Sequence, residues 1–90
     1  MSLNDKVVLI TGGTGSFGKK FTEIMLREFS PKKLIIFSRD ELKQYEMHQK
    51  YSDSSMRYFI GDVRDLDRLK LAFQGVDVVV HAAAMKQVPI

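Results

Sequence analysis

The sequence predicts an α/β fold, a doubly wound parallel sheet built in the order βαβαβαβ with an expected strand order of 3-2-1-4. Two observations predict it. Short apolar runs alternate with segments of helical period along the whole chain, and a glycine-rich turn joins the first run to the first helix. Crossovers long enough to hold a helix make the strands parallel and the connections right-handed. Ninety residues make at most one small domain.

Each element has its own signal. Lys6 to Ile10 reads as a strand. From Ser16 to Phe29 the apolar residues Phe17, Phe21, Ile24 and Met25 form the stripe of an amphipathic helix, which Ser30-Pro31 ends. Lys33 to Phe37 is a second strand. Asp40 suits the N-cap of a helix running to about Tyr51, with Leu42, Tyr45 and Met47 on its apolar side. A polar loop, Tyr51 to Ser55, leads to a third strand over Arg57–Ile60. Leu66, Leu69, Ala72 and Phe73 mark a third helix, and Gly75 is its stop. Val76 to Val80 is almost purely apolar, as a strand buried on both faces would be.

The run Thr11-Gly12-Gly13-Thr14-Gly15-Ser16-Phe17-Gly18 lies between the first strand and the first helix. Its spacing, G-x-x-G-x-x-G, is a variant of the G-x-G-x-x-G dinucleotide fingerprint. Backbone N–H groups at a helix N-terminus form an anion site there. Gly12 permits the tight turn, Gly15 lets a diphosphate approach the backbone, and Gly18 lets the helix pack close on the strand. The phosphate-binding candidates are therefore Gly12, Thr14, Gly15, Ser16, Phe17 and Gly18. The same stretch satisfies G-x-x-x-x-G-K, the start of a P-loop. A P-loop continues with Ser or Thr to hold Mg²⁺, whereas this chain has Lys20. The domain is thus read as the N-terminal part, residues 1–90, of a Rossmann-like dinucleotide-binding domain.

The ends of the later strands supply the other candidates. Ser38 and Arg39 stand about twenty residues past the last glycine, where NAD-binding folds place an acid for the ribose hydroxyls. A hydroxyl and a guanidinium there suit a 2′-phosphate, with Lys43 adding charge, so NADP is the expected cofactor. The plainer reading leaves Arg39 solvated and Asp40 as a cap. Asp62 and Val63 follow the third strand, beside the expected adenine; either Asp62 or Asp65 also suits a helix cap. Ala82, Ala83 and Ala84 follow the fourth strand and leave room for ribose and diphosphate. His81 reads equally as a packed strand-end residue. Lys86 is a candidate for the substrate or the nicotinamide ribose.

Composition narrows the classes. The chain has no Cys, so disulfides and thiolate metal sites are excluded, and no metal site is expected. Its net charge of +3 comes from interspersed Lys, Arg, Asp and Glu, which argues against a nucleic-acid partner. No apolar run reaches membrane-spanning length and no secretory leader is evident, so no membrane partner and a cytoplasmic location are expected. The fourth strand would be an exposed sheet edge although it reads as central. That conflict predicts the front part of a longer protein.

With these residues in place, the chain resembles the extended short-chain dehydrogenase/reductase superfamily. The glycine block marks the superfamily. Ser38-Arg39-Asp40-Glu41, Gly61-Asp62-Val63-Arg64-Asp65 and Met85-Lys86-Gln87-Val88-Pro89 resemble the nucleotide-sugar 4,6-dehydratases, above all the inverting UDP-N-acetylglucosamine 4,6-dehydratases. Those enzymes start the route to pseudaminic acid used in flagellin glycosylation. The resemblance implies NADP as cofactor, UDP-N-acetylglucosamine as substrate and a homo-oligomer. It implies hydride abstraction from sugar C4, loss of water across C5–C6, and hydride return to C6 with inversion at C5. The family's Tyr-x-x-x-Lys pair is missing: Gln49, Ser55 and Asp62 stand four residues after Tyr45, Tyr51 and Tyr58. No catalytic residue is therefore assigned within this chain. A non-catalytic NADP-binding sensor, or another nucleotide-sugar epimerase or dehydratase, is the alternative.

Overall fold

The computed structural model describes residues 2–82. The expectations for Ala83, Ala84 and Lys86 fall outside those residues. The elements are β1 (Val7–Thr11), α1 (Ser16–Glu28), β2 (Lys33–Ser38), α2 (Glu41–Lys50), β3 (Met56–Ile60), α3 (Leu66–Ala72) and β4 (Val78–His81). The four strands form one sheet in the order β3-β2-β1-β4, and all pairings are parallel. Both the predicted order of elements and the predicted strand order are observed.

Strand alternation splits the core between the two faces of the sheet. Val8, Ile10, Leu34, Ile36 and Met56 point to one side, where Met25 of α1 and Met47 of α2 cover them. Leu9, Ile35 and Phe37 point to the other, against Ala72, Leu69 and Phe73 of the α3 segment. The chain steps from β1 outward to β2 and β3, then returns past β1 to β4. Keeping the crossovers right-handed requires α3 to lie on the face opposite α1 and α2. The reversal between β2 and β4 leaves a crevice above the carboxyl end of β1.

Three helix faces differ from expectation. The fully buried line of α1 is Gly18, Thr22 and Met25, and Phe17 is exposed, stacked on Phe21 at 6.2 Å. The stripe turns toward smaller residues because the first turn packs against the glycine turn. In α2 the buried pair is Gln44 and Met47, whereas Leu42 and Tyr45 lie in solvent at 66% and 63% exposure. Gln44 is drawn inward by carbonyl groups at the strand ends, described below. In α3, Leu66 is exposed and Ala72 is the buried residue.

Strand 4 is shorter than predicted and only half-buried on its valines. Val76 N–H still bonds Phe73 O in the turn after α3. Asp77 then clamps the strand start: its N–H donates to Val7 O at 2.8 Å, and its carboxylate accepts from Val7 N–H at 2.8 Å. Within the described sheet β4 is an edge, so its outer side has no strand to cover it.

Gly18 differs in its partner. A Cβ there would collide with the backbone of Gly13 in the turn, where contact with the strand was expected. At Gly13 a Cβ would meet the methyl groups Ile36 Cγ2 at 2.9 Å and Ile10 Cγ2 at 3.0 Å. Backbone yields less readily than a methyl group, so Gly18→Ala is expected to destabilise the fold more than Gly13→Ala. Overpacking costs about 1–3 kcal/mol, which exceeds the ~1 kcal/mol that Ala gains over Gly in a helix. Urea unfolding checks this: the midpoint falls in both variants and further in Gly18→Ala.

Candidate functional site

Three loops meet above the carboxyl ends of β1, β2 and β3, and they enclose a cavity of about 460 Å³. The β1–α1 turn contributes Gly12, Thr14 and Gly15. The β2–α2 connection contributes Ser38, Arg39, Asp40 and Lys43, and the segment after β3 contributes Gly61, Asp62, Val63 and Arg64. Phe37, fully buried and stacked on Phe59 at 5.7 Å, is a wall at the strand end. Eight sequence-predicted residues thus come together: Gly12, Thr14, Gly15, Ser38, Arg39, Lys43, Asp62 and Val63.

The glycine turn is built as its spacing requires. Gly12 has φ of 66°, in the left-handed region that a side chain disfavours. Its N–H donates to Phe37 O at 2.9 Å, which ties the turn to the end of β2. Gly15 is the N-cap of α1 and supplies no side-chain cap. The N–H of Lys19 donates to Gly15 O at 3.0 Å. The N–H groups of Ser16, Phe17 and Gly18 precede it, and the helix itself offers them no acceptor. No acidic residue stands in that first turn. These backbone dipoles suit an anion. The side chains of Ser16 and Phe17 point into solvent and do not line the cavity, and Gly18 is buried beneath it.

The second loop combines a cap with cationic groups. Asp40 is the N-cap of α2, its carboxylate accepting from Lys43 N–H at 3.0 Å. Arg39 reaches across the groove, Nη1 donating to Asp62 Oδ2 at 3.3 Å. Asp62 is held more firmly by Arg64, whose Nη2 donates at 2.8 Å and whose backbone N–H donates at 2.9 Å. The hydrogen bonds from Arg64, with the charge of Arg39 behind them, hold the Asp62 carboxyl well below the usual carboxylate range. It is therefore an acceptor-only anion across the physiological range. Asp65, and not Asp62, caps α3 by accepting from Arg68 N–H at 3.1 Å. That leaves Asp62 free of any capping duty toward the helix.

Sequence reading missed Gln44, Gly61 and Arg64. Gln44, 3% exposed, donates from Nε2 to Ser38 Oγ at 3.0 Å and to Phe59 O at 3.0 Å. A polar residue on the expected solvent side of a helix gives no sign of such a role. A Cβ on Gly61 would meet Phe37 Cζ at 2.7 Å and Arg68 Cγ at 2.9 Å, so the glycine lets the loop close over Phe37. Arg64 was visible only as its spacing, two residues past Asp62. Ala82 is buried in the core cluster and does not line the cavity. His81 Nδ1 lies 3.0 Å from Thr11 Oγ1, joining the ends of β4 and β1. Among the described residues no cluster of His, Asp or Glu could hold a metal ion, and no helix is long and apolar enough to cross a membrane.

Known proteins resemble this chain in sequence and in fold. The chain is 60% identical over 87 residues to a UDP-N-acetylglucosamine 4,6-dehydratase (inverting) from Campylobacter jejuni, covering 97% of this chain and 26% of that protein. The X-ray structure of Pen from Bacillus thuringiensis matches with a TM-score of 0.86 and 44% identity, covering 98% of this chain and 27% of that one. A wide-type short-chain dehydrogenase/reductase from Veillonella parvula, solved in complex with NADP, matches with a TM-score of 0.72 and 20% identity. It covers 84% of this chain and 34% of that one, and at that identity the likeness is one of fold. The chain thus spans about a quarter of the length of its curated relative. The model of the polysaccharide biosynthesis protein family matches residues 8–90, and the chain belongs to that family.

Proposed function

We propose that the cavity binds NADP, and that the chain is the cofactor-binding portion of a C5-inverting UDP-N-acetylglucosamine 4,6-dehydratase. The observation that carries the reading is the convergence of the glycine turn with Ser38, Arg39 and Lys43 on one cavity. The 60% identity to a dehydratase of that name supports the substrate.

The residues fit the cofactor part by part. The first-turn N–H groups of α1 would take the diphosphate, and Gly15 leaves its approach clear. Arg39 and Lys43, with the Ser38 hydroxyl, would take the 2′-phosphate. Val63, 47% exposed, offers an apolar surface to the adenine, while Asp62 accepts from its amino group. Three cations line the cavity against two carboxylates, an excess that favours an anionic ligand. When bound, NADP supplies a hydride acceptor that returns the hydride within one turnover. Ala83, Ala84 and Lys86 complete the reading as contacts to ribose and substrate. Proton transfer is assigned to a Tyr-x-x-x-Lys pair in a protein of the relatives' length, since these 90 residues contain none. The same reading takes the whole protein to be a cytoplasmic homo-oligomer in pseudaminic acid synthesis for flagellin glycosylation.

Arg39→Ala is expected to weaken NADP binding about ten- to a hundredfold, the worth of a hydrogen bond to a charged group. NAD binding should change little. Isothermal titration with both dinucleotides measures the two constants, and an equal loss for both would remove the 2′-phosphate assignment.

Gly15→Val should abolish binding of both dinucleotides while circular dichroism stays native, because its side chain occupies the diphosphate's place. Retained affinity in the folded variant would speak against the phosphate turn. Mg²⁺-dependent ATP binding would point to a P-loop.

Incubation of a protein of the relatives' length with NADP⁺ and UDP-N-acetylglucosamine should yield a product lighter by one water in mass spectrometry. The 90-residue chain alone should yield none, because acid–base catalysis needs a positioned proton carrier. A full-length protein that binds NADP but leaves the sugar unchanged would favour a different sugar or a sensor.

A further inference from the structure

We propose that Gln44 is a positioning residue for cofactor discrimination: its buried amide donates to Ser38 Oγ and so turns the Ser38 hydroxyl hydrogen into the groove, toward a phosphate. The inference rests on the reading that Ser38 and Arg39 receive a 2′-phosphate.

The amide orientation is fixed by its surroundings. Nε2 of Gln44 faces Ser38 Oγ at 3.0 Å, Phe59 O at 3.0 Å, Ser38 O at 3.2 Å and Ile36 O at 3.4 Å. Three of these are carbonyl oxygens, which only accept, so the NH₂ end and not the oxygen must face them. The amide carries two hydrogens, and its two shortest contacts, Ser38 Oγ and Phe59 O at 3.0 Å each, take them, so Ser38 Oγ receives an N–H from below. A hydroxyl has a single hydrogen, and that hydrogen turns away from the donor. Ser38 is itself 7% exposed, and its open side is the cavity that Arg39 and Lys43 also line.

A phosphate oxygen only accepts, so it matches a hydroxyl with its hydrogen presented. A ribose hydroxyl can accept the same hydrogen, but the bond to a charged phosphate oxygen is the stronger one, so a presented hydrogen favours the phosphate. Gln44 does not line the cavity; it acts through Ser38.

The test is the ratio of NADP to NAD affinity, measured by isothermal titration on the full chain. Ser38→Ala keeps the carbonyl partners of Gln44 and should lower the ratio about tenfold, as should Gln44→Met. The double variant should lower it no further than either single one, because both act through one bond. Gln44→Glu should lower it more, since the carboxylate both accepts the Ser38 hydrogen and places negative charge beneath the phosphate. An unchanged ratio in Ser38→Ala, with Arg39→Ala still lowering it, would overturn the inference and leave the NADP reading standing; this arm holds even if the Gln44 variants do not fold. Additive losses in the double variant would also overturn it. A ratio unchanged in both Ser38→Ala and Arg39→Ala would overturn the NADP reading itself.

Discussion

The backbone of Gly18 lies so close to that of Gly13 that no methyl group fits between them, and much of the site follows from this contact. It seats the first turn of α1 directly on the turn that leaves β1. The helix axis is thereby aimed at the end of the sheet, and its unpaired N–H groups open on the crevice. A wider contact would shift the helix start and break the alignment of dipoles with that crevice. Gly12, with its left-handed backbone and its bond to Phe37 O, fixes the same turn from the other side. The proposed anion site is thus a packing result as much as a chemical one.

The rest of the groove is polar accounting at strand ends. A parallel strand that stops leaves carbonyl groups unpaired, and buried ones require donors. Gln44 adds a donor to Phe59 O and to Ser38 O, which also accepts from Gly61 N–H, and Arg68 serves Ile60 O at 2.8 Å while lying over the Phe59 ring at 4.4 Å. Asp40 and Asp65 satisfy the starts of α2 and α3 in the same way. Each device is local, yet together they hold three loops around one cavity. On the rim Arg39 and Arg64 are exposed and Asp62 is half-buried, so their pairs are correspondingly weak and adjustable.

The fold was legible because its signals are periodic and local. Alternating apolar runs, Asp40 before Glu41, and Gly75 after α3 (where φ is 74°) each name one element, and strand order follows from handedness. Eight site residues were legible for a related reason: in this topology the positions just after β1, β2 and β3 converge. What escaped was decided by tertiary contact. Leu42, Tyr45 and Leu66 carry apolar side chains, but their helix faces meet no sheet, whereas Gln44 is buried because carbonyls await it. The partner of Gly18 escaped because spacing gives the need for a glycine and not the group that crowds it.

The clamp of Asp77 on Val7 joins residues 70 positions apart, and it lies at the base of the β1–β4 pairing. On a ribosome β1 emerges early and gains β2 after one helix, but its other edge has no partner until β4 is made. Long-range pairing of this kind is slow, since the loop must close before contact rewards it. The nascent protein therefore carries an open strand edge, rich in Val, Leu and Ile, until residues 78–81 are made. Such edges are where chaperones act and where chains misassemble. The carboxylate of Asp77 gives the late strand a polar address on that edge, one residue before β4 begins, and the valines pair in the register it marks.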